Sequence, residues 1–244
     1  MALPKLTTPT YELEIPSTDE KIKYRPFLVK EEKILMMAME TKSESDIVQA
    51  VRDIVSECTF NKINLGTMPM FDVEYIFLNI RSKSVGEVSK LKLLCPDDKK
   101  TYAEVDLNLT EVKVQVGEDH TNKIELNDGM GMIMTYPTID SFRDSGIRDI
   151  NASNMLDVIS GCIMQIYEKN GEKTYDPKDQ TKKELMEFIE QLNTKQFKEV
   201  QKFFETMPKL KHEITIKNPK TKKESKITLT GLNDFFASPF LMIV

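Results

Sequence analysis

Tryptophan is absent from this chain of 244 residues, histidine occurs twice, cysteine three times, and no stretch approaches the ~20 continuous apolar residues of a membrane-spanning helix. Each scarcity removes a class of function. Cys58, Cys95 and Cys162 are odd in number and far apart, the wrong arithmetic for a disulfide framework, so a reducing intracellular setting is expected. No phosphate loop with Gly-Lys-Ser/Thr occurs. Gly129-Met130-Gly131 lacks the third glycine and the strand-turn-helix setting of dinucleotide binding. Met1 to Pro9 has no basic region followed by an apolar run, so no signal peptide is expected. Positive charge is not in excess either: 34 Lys and Arg against 39 Asp and Glu leave −5, which argues against a broad phosphate-binding surface.

What is present is a foldable composition, 40% hydrophobic and 30% charged, which excludes general disorder. The length suits one large domain or two small ones, at roughly 100 to 200 residues per domain. Tyr11, Leu13 and Ile15, then Ile22 and Tyr24, alternate on either side of the turn-prone Pro16-Ser17-Thr18-Asp19 and predict a β-hairpin. Ile34, Leu35 and Ala38 predict a short helix. A second helix, carrying Ile47, Val48, Val51, Ile54, Val55 and Cys58 on one face, starts at Ser43 with Asp46 three residues on. Val73, Ile76, Phe77 and Ile80 mark a third, with Pro69 before it and Gly86 after it.

The period then changes to two. Leu91, Leu93 and Cys95 alternate with lysines, and Ala103, Val105 and Leu107 alternate with carboxylates, around Pro96 to Lys100. Val112 to Val116, Ile124 with Leu126, and Met130 to Tyr136 continue as strands, and a meandering antiparallel sheet is the simplest account. Helical spacing returns from Asn154 to Tyr167. It resumes after the capping-box spacing of Thr181 and Glu184, and again after Asn193, up to Met207-Pro208. Ile214, Ile216, Ile227 and Leu229 flank Asn218 to Lys223 as a last hairpin. The order of helices then hairpin, twice over, predicts an α+β fold of two small lobes, residues 1–137 and 138–244.

No catalytic, cofactor or metal constellation emerges. His120 lies in the polar stretch Gly117 to Asn122 and is expected in a solvated loop, and His212 has no partner at ligand spacing. Cys58 and Cys162 fall on apolar helical faces as small buried hydrophobes. Cys95-Pro96 stands at a hairpin turn where a zinc knuckle would place a second cysteine, but that position is Asp98, and a turn without metal is expected. Glu31-Glu32 and Asp97-Asp98 sit among lysines as surface charge, and Lys217 to Lys223 lacks the interleaved aromatics of a nucleic-acid surface. The C-terminal segment from Phe235 to Val244 is the longest apolar run, broken by Ser238 and Pro239. Phe235, Phe236, Phe240, Leu241, Met242, Ile243 and Val244 are candidates for docking, either on the chain's own core or on a partner.

Three segments carry a resemblance: Lys21 to Lys33, Glu74 to Glu87, and Leu229 to Phe236. Together they resemble the baseplate hub subunit family of T-even-like contractile-tail phages, the gene 26 product. The resemblance implies a non-enzymatic virion protein whose partners are other baseplate hub and tape-measure-type tail proteins, located in the tail baseplate and, during assembly, the host cytoplasm. A dissociable assembly chaperone is one alternative and a peptidoglycan hydrolase another. It also implies cysteine pairs at hairpin turns like those after Leu94 and around Pro219. Only Cys95 is present here, so no metal is carried over. Arg25, Phe27, Arg81 and Ser84 are partner-contact candidates because they lie in the shared segments. The alternative is that Phe27 is core and that Arg81 with Ser84 closes the third helix.

Overall fold

The computed structural model describes residues 6–41, 43–127, 129–141, 155–168 and 171–235. In chain order come β1 (Tyr11–Glu14), β2 (Lys21–Tyr24), α1 (Val29–Thr41), α2 (Glu44–Cys58), α3 (Met70–Val85), β3 (Val88–Leu94), β4 (Tyr102–Asn108), β5 (Lys113–Gln115), β6 (Lys123–Asn127) and β7 (Met130–Met134). There follow α4 (Met155–Gly161), β8 (Ile163–Glu168), β9 (Lys173–Tyr175), α5 (Lys182–Glu190), α6 (Thr194–Thr206), β10 (Lys209–Lys217), β11 (Glu224–Thr230) and α7 (Gly231–Phe235). Helices and antiparallel ladders make this an α+β fold, as the periodicities predict.

The chain divides into two compact units. One takes the described residues of 1–65, 71–115 and 209–244, the other those of 66–70 and 116–208. A single cut after Pro137 is therefore corrected. The cause is a pairing invisible to a linear reading: β10 returns to β5, with Leu210 opposite Val114. The expected continuous meander divides for the same reason. β3 and β4 form their own two-stranded sheet, β5 joins β10 and β11, and β6 to β9 form a four-stranded sheet in sequential order.

In the first unit, β1 and β2 pair with Leu13 opposite Ile22, and the Asp72 carboxylate grips their turn by accepting the Ser17 N–H at 3.2 Å. Ser43 stands at the start of α2, but its hydroxyl pairs with that of Ser45 rather than with a helix N–H. α3 buries Val73, Ile76, Phe77, Leu78 and Ile80, too many for one stripe, which is the signature of a helix enclosed on most sides. In the β3–β4 hairpin Lys92 faces Glu104 and reaches it at 3.1 Å. The turns of the two long hairpins meet: Asp97 accepts hydrogen bonds from the Asn218 amide at 2.9 Å and from the Thr221 hydroxyl. Leu91, Leu107, Leu210, Ile216 and Phe235 belong to one core cluster here.

The second unit holds a correction of element type. Helical spacing from Asn154 to Tyr167 gives way at Gly161: α4 ends there, and Ile163 to Glu168 is a strand between β7 and β9. A short apolar run with Ile163, Ile166 and Tyr167 satisfies either period, and the free edge of β7 decides in favour of the strand. Cys162 consequently lies at a helix–strand junction rather than on a helical face, buried all the same. Gly131 is opposite Tyr167 in that ladder, and a Cβ on it would lie 2.2 Å from the tyrosine Oη and 2.6 Å from the Ile124 carbonyl oxygen. The close approach of ring to backbone explains the glycine. α5 and α6 each begin with a complete capping box, Thr181 with Glu184 as expected and Asn193 with Gln196, stabilising each start by about 1 kcal/mol. Their apolar faces close over Met132, Met134 and Ile159.

Candidate interaction surface

The first turn of α1 is fixed by a buried charge pair. Glu31 is only 1% exposed, and its carboxylate accepts from the Arg25 guanidinium at 2.9 Å and from the Leu28 N–H at 2.7 Å, with Lys30 Nζ 3.2 Å away. Burial alone would raise this carboxyl. The hydrogen bonds from Arg25, Leu28 and Lys30 outweigh it and hold the group below its ordinary value. Arg25 also donates to the Pro26 carbonyl, and its own N–H reaches the Cys58 carbonyl at the end of α2. The preceding chain is strapped to α3, where the Phe27 N–H donates to Ser84 Oγ at 2.9 Å and that hydroxyl donates to the Ile80 carbonyl.

So anchored, α1 buries Glu31, Leu35 and Ala38 and turns a second apolar set outward. Val29 is 80% exposed and Met37 57%, with Ile34, Met36 and the preceding Leu28 also exposed. Residues 29, 33, 36, 37 and 40 share one helical face, opposite the buried one, so Val29, Met36 and Met37 alternate there with Lys33 and Glu40. Phe60 adds an exposed ring in the left-handed backbone region, φ 62°, two residues beyond the Cys58 carbonyl that Arg25 grips. Unbranched methionines adapt their shape to a partner, and so suit a docking face. Sequence periodicity found the inner face of this helix and missed the outer one. The available signal was the unbroken run Ile34-Leu35-Met36-Met37-Ala38-Met39, apolar around more than one side.

The sequence-selected residues come together, but inside the first unit. Arg25 holds Glu31, Phe27 is buried and strapped by Ser84, and Arg81, also buried, donates from Nη1 to the Gly86 carbonyl at 2.8 Å. The third shared segment meets α3 as well, since the Glu74 carboxylate accepts the Leu232 N–H. The three segments thus touch one helix, α3, and their recognisability reflects a common scaffold. Phe235 is fully buried in the core cluster of that unit, whereas Phe236, Phe240, Leu241, Met242, Ile243 and Val244 lie outside the described residues.

Reactive chemistry finds little support in the remaining polar groups. His120 is not a solvated loop residue: Nδ1 lies 2.9 Å from Thr206 Oγ1, Nε2 lies 3.0 Å from Tyr136 Oη, and the ring joins Tyr136 and Phe203 in a three-ring cluster. The correction has a tertiary cause, because α6 and the chain after β7 supply those partners. Burial lowers its pKa and favours the neutral ring. Burial raises the thiols of Cys58 to about 11 and Cys162 to about 12, and that of Cys95 is raised by burial and by Asp97 and Asp98. These are not activated nucleophiles. Among the described residues no group of three His, Cys, Asp or Glu is placed to hold a metal ion, and no helix is long and apolar enough to cross a membrane. The second unit contains a cavity of about 420 Å3, lined in part by Glu168 and Glu184. Hydrogen bonds from the Thr181 N–H and hydroxyl hold Glu184 low, the opposite of what a glycosidase acid needs.

Compared with known proteins, residues 8–237 match the family model described as T4 bacteriophage base plate protein. No curated protein and no solved structure matches the chain.

Proposed function

Because this chain belongs to the T4 bacteriophage base plate protein family, and so is a structural protein of the phage tail in contact with other tail proteins, we propose that it is built into the baseplate hub and acts there by contact alone. The outer face of α1 carries this reading. Covering Val29, Met36 and Met37 contributes roughly 1 to 2 kcal/mol for each side chain, before the costs of association are subtracted. A helix that presents Val29, Met36 and Met37 outward, between Lys33 and Glu40 and without use in the chain's own core, is a docking element. The partners on this reading are hub and tape-measure-type proteins, met first in the host cytoplasm during assembly. The chain makes and breaks no covalent bond.

Quantitative mass spectrometry of purified particles tests the reading. A built-in hub protein is present at a fixed copy number relative to the other baseplate proteins. Loss of the chain from mature particles, with accumulation in lysates, would instead assign it to a dissociable chaperone.

A further inference from the structure

We propose that the cavity of the second unit is a receptor for one large apolar side chain of a partner polypeptide, flanked in that partner by a lysine or arginine. The proposal rests on the reading that this chain works through contacts with other tail proteins, and it names the chemistry of one contact. The cavity lies where β6, β8 and β9 meet α5 and the start of α6, with a volume of about 420 Å3. That is the small end of the roughly 300 to 1,000 Å3 range of ligand sites, room for one or two side chains rather than a large cofactor.

Its floor is apolar. Leu126 and Ile166 are buried members of the core cluster, and Phe188 and Leu192 are only partly buried against it, so part of their apolar surface is left to an incoming group. Two hydrogen bonds tie lining residues together: the Gln196 amide donates to the Leu126 carbonyl at 2.7 Å, and Tyr175 Oη donates to Glu168 at 2.7 Å. Among the described residues the charged side chains lining it are Glu168 and Glu184, both acidic; Lys173, opposite Glu168 in the β8–β9 ladder, lies over the Tyr175 ring and does not line the cavity. An apolar anchor with a cation beside it is complementary to such a site, while an acidic neighbour is repelled.

Methyl NMR of the full chain, with 13C-labelled methionine and isoleucine methyls, tests this with three capped tripeptides: Lys-Phe-Lys, Glu-Phe-Glu and Lys-Ser-Lys. Lys-Phe-Lys is expected to shift the Met130 and Ile166 methyls saturably with a Kd on the order of 1 mM, the affinity of a single anchored residue. Glu-Phe-Glu should bind about fivefold or more weaker, as solvated rim charges allow, and Lys-Ser-Lys should leave those methyls in place. Leu192→Trp, which fills the cavity, should abolish the response. Glu168→Gln, which keeps the frame, should reduce the basic-over-acidic preference. Equal binding of the acidic and basic peptides, or no saturable shift at Met130 and Ile166, would overturn the proposal. So would phenylalanine amide binding as well as Lys-Phe-Lys, which would mark a small-molecule site. None of these outcomes bears on the α1 face, so failure here is distinguishable from failure of the hub reading.

Discussion

Replacing Glu74 by glutamine tests how the last helix is held. Glu74 projects from α3, and its carboxylate accepts the Leu232 N–H in the first turn of α7. Burial drives this carboxyl from an ordinary 4.5 to about 7, the hydrogen bond only partly offsetting it. A carboxyl that ionises later in the folded chain than in the unfolded one favours folding at acid pH. Its contribution is complete below about pH 4.5 and is lost as pH rises through about 7. At about 1.4 kcal/mol for each pH unit the ceiling is about 3 kcal/mol, and partial solvent access reduces it to about 1 to 3. Glutamine keeps an oxygen for the Leu232 N–H and cannot ionise. Glu74→Gln is therefore expected to exceed the parent by about 1 to 3 kcal/mol near pH 8 and to equal it within about 0.5 kcal/mol near pH 4.5. Urea unfolding followed by circular dichroism across that range measures both. His120, with its pKa lowered, contributes the opposite slope, losing stability as pH falls, but it is common to both proteins and cancels in the difference. A variant no more stable than the parent near pH 8, or a difference independent of pH, would show that Glu74 does not resist ionisation in the folded chain.

Arg25→Ala leaves the buried Glu31 carboxylate with weaker compensation from Lys30, so a loss of about 2 to 4 kcal/mol in urea unfolding is expected. Gly131→Ala forces a methyl against Tyr167 and the Ile124 carbonyl and should cost about 1 to 3 kcal/mol, whereas the same change made in a Tyr167→Ala chain should cost less but still destabilise, because the backbone contact persists. The three thiols are buried and raised, so a thiol-reactive disulfide reagent should label them on the timescale of unfolding, and fast labelling of the native chain would contradict the packing.

Much of the fold was legible because its signals are local. The β1–β2 and β3–β4 hairpins, the buried stripe of α2 and the Thr181 capping box all follow from spacing over a few residues. What escaped the sequence depends on partners far along the chain. β8 is a strand because β7 and β9 lie beside it, β5 leaves the meander because β10 returns to it, and His120 is sequestered by Thr206, 86 residues away. The proposed docking face was hidden for another reason. Apolar periodicity identifies what faces the core, and an outward apolar face such as Val29, Met36 and Met37 registers only as noise in that pattern.

On the proposed function the outer face of α1 is covered by another protein in the assembled tail. Incorporating a photo-crosslinking benzoyl-phenylalanine at Met37 during infection, with exposed Lys198 as the comparison site, tests for that neighbour. Irradiated particles are expected to yield a defined adduct between position 37 and another baseplate protein, lost when Val29 is replaced by glutamate. Particles that incorporate the labelled chain, crosslink from position 198 and yield nothing from position 37 would contradict it.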